Sequence, residues 1–199
     1  MPTTLWLFCA LIAAVAIERL FEMWLAKRHA ARLVARGGYA VGDEHFPWMV
    51  ALHTTLLIAA PLEVWLLGRA FVPWLGWTAL GVVVLTMALR YWVISTLGDR
   101  WTTRVFVVPD EAPVTGGPFR YLRHPNYLAV VLEVAALPLV HGAWLTALVF
   151  SALNAWLLSV RIRVEESALR DVSAYDEDLG ARPLLIPTRL PTRAEEGSS

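Results

Sequence analysis

Two long stretches with almost no charge occupy the first half of this 199-residue chain. Residues Pro47–Gly68 carry only His53 and Glu63 as charged or titratable groups, and Phe71–Leu89 carry none. At about 1.5 Å per residue, a helix of about 20 apolar residues crosses the roughly 30 Å hydrocarbon layer of a bilayer. Both stretches therefore predict membrane-spanning helices.

The apolar pattern also predicts a helix at the N-terminus and a helical hairpin near the C-terminus. Residues Leu5–Ile17 are uncharged, and Gly37-Gly38 marks the expected end of the first helix. The Met-Pro-Thr-Thr start lacks the basic residues of a signal peptide, which predicts that this helix is retained. Residues Pro125–Val160 are interrupted by Pro138 and His141-Gly142, so they predict two helices joined by a turn.

The 17 basic residues, 16 of them Arg, are concentrated in alternate hydrophilic segments. Three clusters follow the first, third and fifth predicted helices, at residues 27–36, 100–123 and 161–163, whereas the intervening connections carry only Arg69 and His141. Because loops rich in Lys and Arg stay in the cytoplasm, we expect the N-terminus outside and the C-terminus in the cytoplasm. A composition rich in Arg, Ala, Leu and Val favours the inner membrane of a bacterium.

The predicted fold is an all-α integral membrane protein of about five transmembrane helices, with a cytoplasmic loop and a C-terminal helix. Composition agrees, since 57% of the residues are hydrophobic and 17% charged, against about 45–50% and 25% in soluble domains. We expect three helices in residues 1–97, the polar loop, the hairpin and the C-terminal helix in 98–193, and a disordered tail in 194–199. A β-like patch, Val105–Val108, lies in the polar loop before the fourth helix. Zero net charge offers no field to attract a nucleic acid.

The densest group of polar and aromatic residues is Gly116–Tyr127, where the polar loop meets the fourth helix. Glycine allows backbone N–H groups to approach a ligand closely, and Pro125 suits the first turn of a helix. His124 and Tyr127 then project near unpaired N–H groups at the positive helix end, which suits a carboxylate or ribose hydroxyls. Interfacial aromatic residues with lipid-binding arginines explain the same pattern equally well.

A second group, Arg161–Glu166, directly follows the last apolar stretch. Arg161 and Glu165 are four residues apart and therefore share one face of a helix. The pattern is compatible with an ordinary ion pair at the membrane boundary and with a site that holds one cation and one anion.

Several ionisable residues lie inside the predicted helices, where such groups are usually paired or functional. The acids of the first helix are expected to pair with Arg19 or Arg90. The sequence leaves open the roles of Glu18, Glu22, Glu63, Glu133 and Arg90. The five histidines show no metal-ligand spacing, so no metal is predicted.

Together the two groups resemble the isoprenylcysteine carboxyl methyltransferase family. The matching patterns are Gly-x-[Phe/Tyr]-x-x-x-Arg-His-Pro-x-Tyr at Gly117–Tyr127 and Arg-x-x-x-Glu-Glu-x-x-Leu at Arg161–Leu169, separated by the helical hairpin. The resemblance covers roughly residues 104–186 and implies S-adenosylmethionine as methyl donor, with S-adenosylhomocysteine as product. The chain departs from the family at Phe119, where Tyr is common, and at Val172–Tyr175, where a Phe-Gly-x-x-Tyr run is usual.

The resemblance also implies that residues 98–193 are the catalytic region of a methyltransferase and that its cytoplasmic loop is a cofactor-binding loop. Its catalytic residues are Arg161, on the acceptor side, and Glu165, which would hold the donor's ammonium or ribose. The candidate cofactor-binding residues are Val114, Gly117, Phe119, Tyr121, His124, Pro125, Asn126, Tyr127 and Glu165. Residues Leu97–Arg104 resemble bacterial members that methylate long-chain alkylpyrones. We therefore expect O-methylation of a carboxyl or acidic hydroxyl group on a lipophilic acceptor that enters from the membrane lipid.

Two other functions stay open on the sequence alone. Membrane reductases of the sterol type, which use NADPH, share the Arg-His-Pro-x-Tyr element but do not require Arg161 together with Glu165. A non-catalytic membrane protein would use Arg123, Arg161 and Arg163 to bind anionic lipid. The sequence does not predict the oligomeric state.

Overall fold

The computed structural model describes residues 3–109, 111–172, 179–180 and 182–185. Five helices account for most of this part of the chain: α1 (Thr3–Ala35), α2 (Phe46–Leu67), α3 (Pro73–Leu97), α4 (Pro125–Leu139) and α5 (Trp144–Val172). They confirm the predicted all-α fold. The expected tail at 194–199 and residues 173–175 of the divergent run lie outside the described residues.

Helix α4 differs from the other four in length and burial. In the described part of the chain, α1, α2, α3 and α5 are long and apolar enough to span a membrane. The 15 residues of α4 reach only about 22 Å. Nine of them are buried, because α4 packs between α3 and α5. The predicted hairpin is therefore present with arms of unequal length, the shorter one enclosed by its neighbours.

The outer faces of the long helices expose large apolar side chains. Trp74 and Leu85 of α3 are 73% and 70% exposed, and Trp48 of α2 is 67% exposed. Contiguous apolar surface of this kind is matched to lipid rather than to water. These exposed faces and the four spanning helices identify the chain as an integral membrane protein.

A short sheet joins the connection after α1 to the loop after α3. Strand β1 (Tyr39–Val41) pairs antiparallel with β2 (Val105–Val107), with Tyr39 opposite Val107. The predicted β-like patch is therefore a strand, although the sequence did not indicate its partner. The pairing brings the ends of α1 and α3 together, and Arg104 and Asp43, 3.0 Å apart, add an ion pair. Arg161 of α5 reaches the same end of the bundle, which we call the loop end.

Glu63 has a structural role at the opposite end of the bundle. Its carboxylate accepts hydrogen bonds from the backbone N–H groups of Leu145 and Thr146, at 3.2 and 2.7 Å, and from the Thr146 hydroxyl at 2.8 Å. Arg69 pairs with it at 3.0 Å. A carboxylate at the first turn of α5 satisfies unpaired N–H groups and interacts favourably with the helix dipole.

Candidate active site

The loop that leads into α4 is folded tightly against α3. Gly117 has a φ of +54°, and a Cβ at this position would lie 2.3 Å from Oγ1 of Thr96. Only glycine accommodates both the conformation and the contact. The Tyr121 ring packs beside Trp92 of α3, with 6.4 Å between the ring centroids. Gly117 and Tyr121, both predicted to bind cofactor, thus contact α3.

A later segment of the chain returns to this loop and fixes its position. The backbone N–H groups of Arg123 and His124 donate to the carbonyl oxygens of Pro183 and Leu184, at 3.0 and 3.1 Å. The Arg123 Nε donates to the carbonyl oxygen of Arg182 at 2.6 Å. The start of α4 is therefore held by residues that follow α5.

Tyr127, Arg161 and Glu165 form the centre of the site. The Tyr127 hydroxyl donates to Oε2 of Glu165 and accepts from Nε of Arg161, the latter at 2.8 Å. Nη2 of Arg161 donates to the carbonyl oxygen of Thr103 at 2.7 Å. The two charged residues that the sequence placed on one helix face are thus joined through a buried hydroxyl rather than by a direct ion pair.

His124 lies beside this group and is held by the second glutamate. Its Nε2 is 3.2 Å from Oε1 of Glu166, and its Nδ1 is 3.8 Å from Oε1 of Glu165. Its ring stacks on Tyr127, with centroids 5.2 Å apart and planes inclined by 24°. Arg123 and Arg170 also contact the Glu166 carboxylate, at 3.3 and 3.0 Å. Glu166 therefore organises its basic neighbours, whereas Glu165 reaches Tyr127.

A cavity of about 200 Å³ opens between the polar loop and α5, and we call it the loop cavity. Most of the predicted site residues line it. These are Val114, Phe119, His124, Pro125, Asn126, Tyr127, Arg161 and Glu165. Gly117 and Tyr121 are not in the lining.

A second cavity, of about 160 Å³, is lined by residues of all five helices, and we call it the bundle cavity. Its apolar lining includes Met49, Leu57 and Leu158. Five residues line both cavities and form a shared wall: Trp101, Thr102, Asn126, Tyr127 and Arg161. The central Tyr127 and Arg161 therefore face two separate spaces.

Sequence reasoning did not single out Trp101 or Thr102 of the shared wall as site residues. Trp101 is 3% exposed, unlike the exposed tryptophans of the outer faces. It is held by a 2.8 Å contact between its carbonyl oxygen and Nδ1 of His29. The sequence singles out the stretch Leu97–Arg104, which contains both residues, but gives no residue in it a role.

The ionisable residues inside the helices meet in one cluster. Arg90 of α3 pairs with Glu133 of α4 and lies 3.6 Å from Glu22 of α1. Arg19 pairs with Glu22 at 2.9 Å and also binds Glu18. The expected pairing of the α1 acids with Arg19 and Arg90 is confirmed. We call these five residues the charged cluster.

The fold and the site define a helical integral membrane protein with two cavities that meet at Tyr127 and Arg161. The chain belongs to the isoprenylcysteine carboxyl methyltransferase (ICMT) family, whose sequence model matches residues 79–171. Membership indicates a membrane methyltransferase.

Two relatives extend the similarity beyond the matched region. The uncharacterized protein YpbQ of Bacillus subtilis is 35% identical over 168 residues, which are 84% of this chain and 99% of that protein. An uncharacterized protein of Haemophilus influenzae is 28% identical over 158 residues, or 79% of this chain and 91% of that protein. Both alignments are longer than the region that the family model matches, so the likeness extends beyond it.

Proposed function

We propose that this protein transfers a methyl group from S-adenosylmethionine to an oxygen of a lipophilic acceptor. The acceptor group is a carboxyl or an acidic hydroxyl, as in an isoprenylcysteine or an alkylpyrone. The observation that carries the proposal is the wall shared by the two cavities. The loop cavity is lined mainly by the loop between α3 and α4, where a water-soluble donor has access, and the bundle cavity is lined mainly by the helices.

The donor fits the polar groups of the loop cavity. Oδ1 of Asn126 is buried and has no hydrogen-bond partner among the described residues. A buried acceptor of this kind is costly unless a ligand donor or a water satisfies it. Together with the Glu165 carboxylate it offers oxygen acceptors to an ammonium group or to ribose hydroxyls. When bound, S-adenosylmethionine supplies an electrophilic methyl group.

The protein's contribution is to bind and orient the reactants. Arg161 would hold the acceptor oxygen through charge-assisted hydrogen bonds, which also fix its direction. An acidic acceptor is already ionised at neutral pH, so the site needs no general base. Tyr127 would keep Arg161 and Glu165 at a constant separation, because its hydroxyl contacts both. Positioning and exclusion of water are the main sources of rate in such a site.

Calorimetry with S-adenosylhomocysteine on the purified protein in detergent micelles tests the proposal. Glu165→Ala is expected to weaken this binding by roughly 10- to 150-fold, the equivalent of about 1.5–3 kcal/mol for a charged hydrogen bond. Arg161→Ala is expected to retain binding and to lose methyl transfer to an extracted lipid acceptor. Arg163→Ala is the matched control, since Arg163 follows on the same helix and lines neither cavity.

The same measurement separates the other functions. Binding of NADPH in place of S-adenosylhomocysteine would refute the methyltransferase proposal in favour of a reductase. Binding of neither compound would favour a lipid-binding protein. Equal loss of S-adenosylhomocysteine affinity in Glu165→Ala and Arg161→Ala would contradict the separate roles given to the two residues.

A further inference from the structure

The bundle cavity is not uniformly apolar at its inner end. Three members of the charged cluster, Arg19, Glu22 and Arg90, line it together with His53. Glu22 and Arg90 are only 3% and 5% exposed. Charged groups inside a membrane protein are costly, and those that face a cavity either pair with one another or mark ligand and ion sites.

Two atoms of this end lack hydrogen bonds. Oε1 of Glu22 and Nε of Arg90 are buried and have no hydrogen-bond partner among the described residues. They lie 3.6 Å apart, which is too long for a hydrogen bond between them. One is an acceptor and the other a donor. The gap is too small to hold an oxygen atom between the two, but a hydroxyl to one side of the pair can donate to the carboxylate and accept from the guanidinium at ordinary distances of about 2.8–3.0 Å.

The pair lies at a different level of α4 from the shared wall. Tyr127 and Glu133, the partner of Arg90, are both on α4, six residues apart. Six residues correspond to about 9 Å along a helix. Apolar residues, among them Val130, Met49 and Leu57, line the same cavity. The cavity thus has polar groups at the shared wall and at the Glu22–Arg90 pair, together with an apolar lining.

We propose that the inner end of the bundle cavity binds a hydroxyl group on the chain of the lipid acceptor, beside Glu22 and Arg90. The proposal rests on the proposed function only in assigning the bundle cavity to the acceptor. The acceptor is then an amphipathic lipid that carries a second oxygen along its chain, and a plain hydrocarbon chain is a poorer ligand.

The test compares two kinds of probe by calorimetry in micelles that contain S-adenosylhomocysteine. The first is a hydroxypyrone with a plain alkyl chain, and the others carry one hydroxyl moved stepwise along that chain. We expect the best hydroxylated probe to bind at least about tenfold more tightly than the plain one, since a site built for a hydroxyl rejects its absence. Equal affinity at every hydroxyl position would overturn the proposal.

Two acids of α1 provide matched variants. Glu22 lines the bundle cavity, whereas Glu18 belongs to the same charged cluster and does not line it. Glu22→Met is expected to abolish the preference for the hydroxylated probe, and Glu18→Met to preserve it. If Glu22→Met does not fold, Glu22→Gln serves as the test. This variant keeps the size of the side chain but removes its charge, so it should reduce the preference for the hydroxylated probe.

The outcomes also separate this proposal from the proposed function. Loss of the preference in both methionine variants would assign the cluster a structural role only and overturn the inference. A hydroxyl preference that depends on Glu22, in a protein that does not bind S-adenosylhomocysteine, would refute the proposed function and leave the hydroxyl site standing. Binding of S-adenosylhomocysteine without any preference for a hydroxylated probe would overturn the inference and leave the proposed function standing.

Discussion

The Tyr127 hydroxyl is the smallest unit on which the site depends. It donates to Glu165 and accepts from Arg161. One oxygen therefore connects the anion that would bind the methyl donor with the cation that would bind the acceptor. The side chain is buried, and its ring also supports His124 by stacking. A phenol at this position can satisfy both neighbours at once, which a carboxylate or an amine cannot do without adding charge.

We predict that Tyr127→Phe lowers methyl transfer while leaving the fold intact. The ring and its packing stay, but Arg161 and Glu165 each lose a buried partner, at a cost of about 1.5–3 kcal/mol or roughly 10- to 150-fold in kcat/KM. The measurement is a labelled methyl-transfer assay with unfolding followed in parallel. Tyr121→Phe is the control, because Tyr121 lines neither cavity. Equal activity of the two variants would contradict the role of the Tyr127 hydroxyl.

At the scale of elements, the site depends on how the loop before α4 is seated on α3. Gly116 and Gly117 are adjacent but differ in their surroundings. A Cβ on Gly116 meets nothing within 4 Å, whereas one on Gly117 meets the Thr96 side chain, and only Gly117 has a positive φ. The second glycine is therefore the one that allows the loop to contact α3.

This difference gives a paired prediction for the loop. Gly117→Ala is expected to destabilise the protein by about 1–3 kcal/mol, from backbone strain together with the contact at Thr96. Gly116→Ala is expected to change stability by less than about 0.5 kcal/mol. Thermal unfolding in detergent measures both. Similar unfolding midpoints for the two variants would show that the loop is not held in this way.

Helix α5 is stabilised at its first turn by Glu63 of α2. We predict that Glu63→Gln lowers the free energy of unfolding by about 1–2 kcal/mol, because the amide keeps one oxygen acceptor but loses the charge. Affinity for S-adenosylhomocysteine should not change, since Glu63 lies at the end of the bundle opposite the loop end. Glu44→Gln, at a side chain that is 81% exposed, is the control for removal of an acid. A change in ligand affinity without a change in stability would contradict the structural role.

For the whole molecule, the arrangement of basic residues predicts an orientation in the membrane. The pairing of β1 with β2 and the contact of Arg161 with Thr103 bring the three basic segments to the loop end. We propose that this end faces the cytoplasm, in accord with the excess of positive charge there.

Single-cysteine labelling tests the orientation in a Cys9→Ser background. Glu44→Cys, in the connection after α1, should react with an impermeant maleimide only after spheroplasts are permeabilised. Val72→Cys, in the connection before α3, should react in intact spheroplasts. The reverse pattern would place the loop end outside the cell and contradict the proposed orientation.

Much of this architecture follows from the sequence because it depends on local patterns. Apolar runs long enough to span a membrane predict the helices, and a run rich in β-branched residues predicts the strand Val105–Val107. The partner strand, Tyr39–Val41, is only three residues long, and its pairing is decided by the packing of distant helices. For the same reason the sequence could not show that Gly117 contacts α3 or that Trp101 joins two cavities.

The charged cluster also bears on how the chain enters the membrane during synthesis. Its members on α1 and α3 are two acids, Glu18 and Glu22, and two bases, Arg19 and Arg90. The cluster members on α1 and α3 thus have a net charge of zero and can pair before α4 is made. Glu133 of α4 is the last member to be synthesised. Ion pairs formed at this stage would lower the free energy of inserting α1 and α3 into the membrane. They would also prevent Arg90 from facing lipid without a partner.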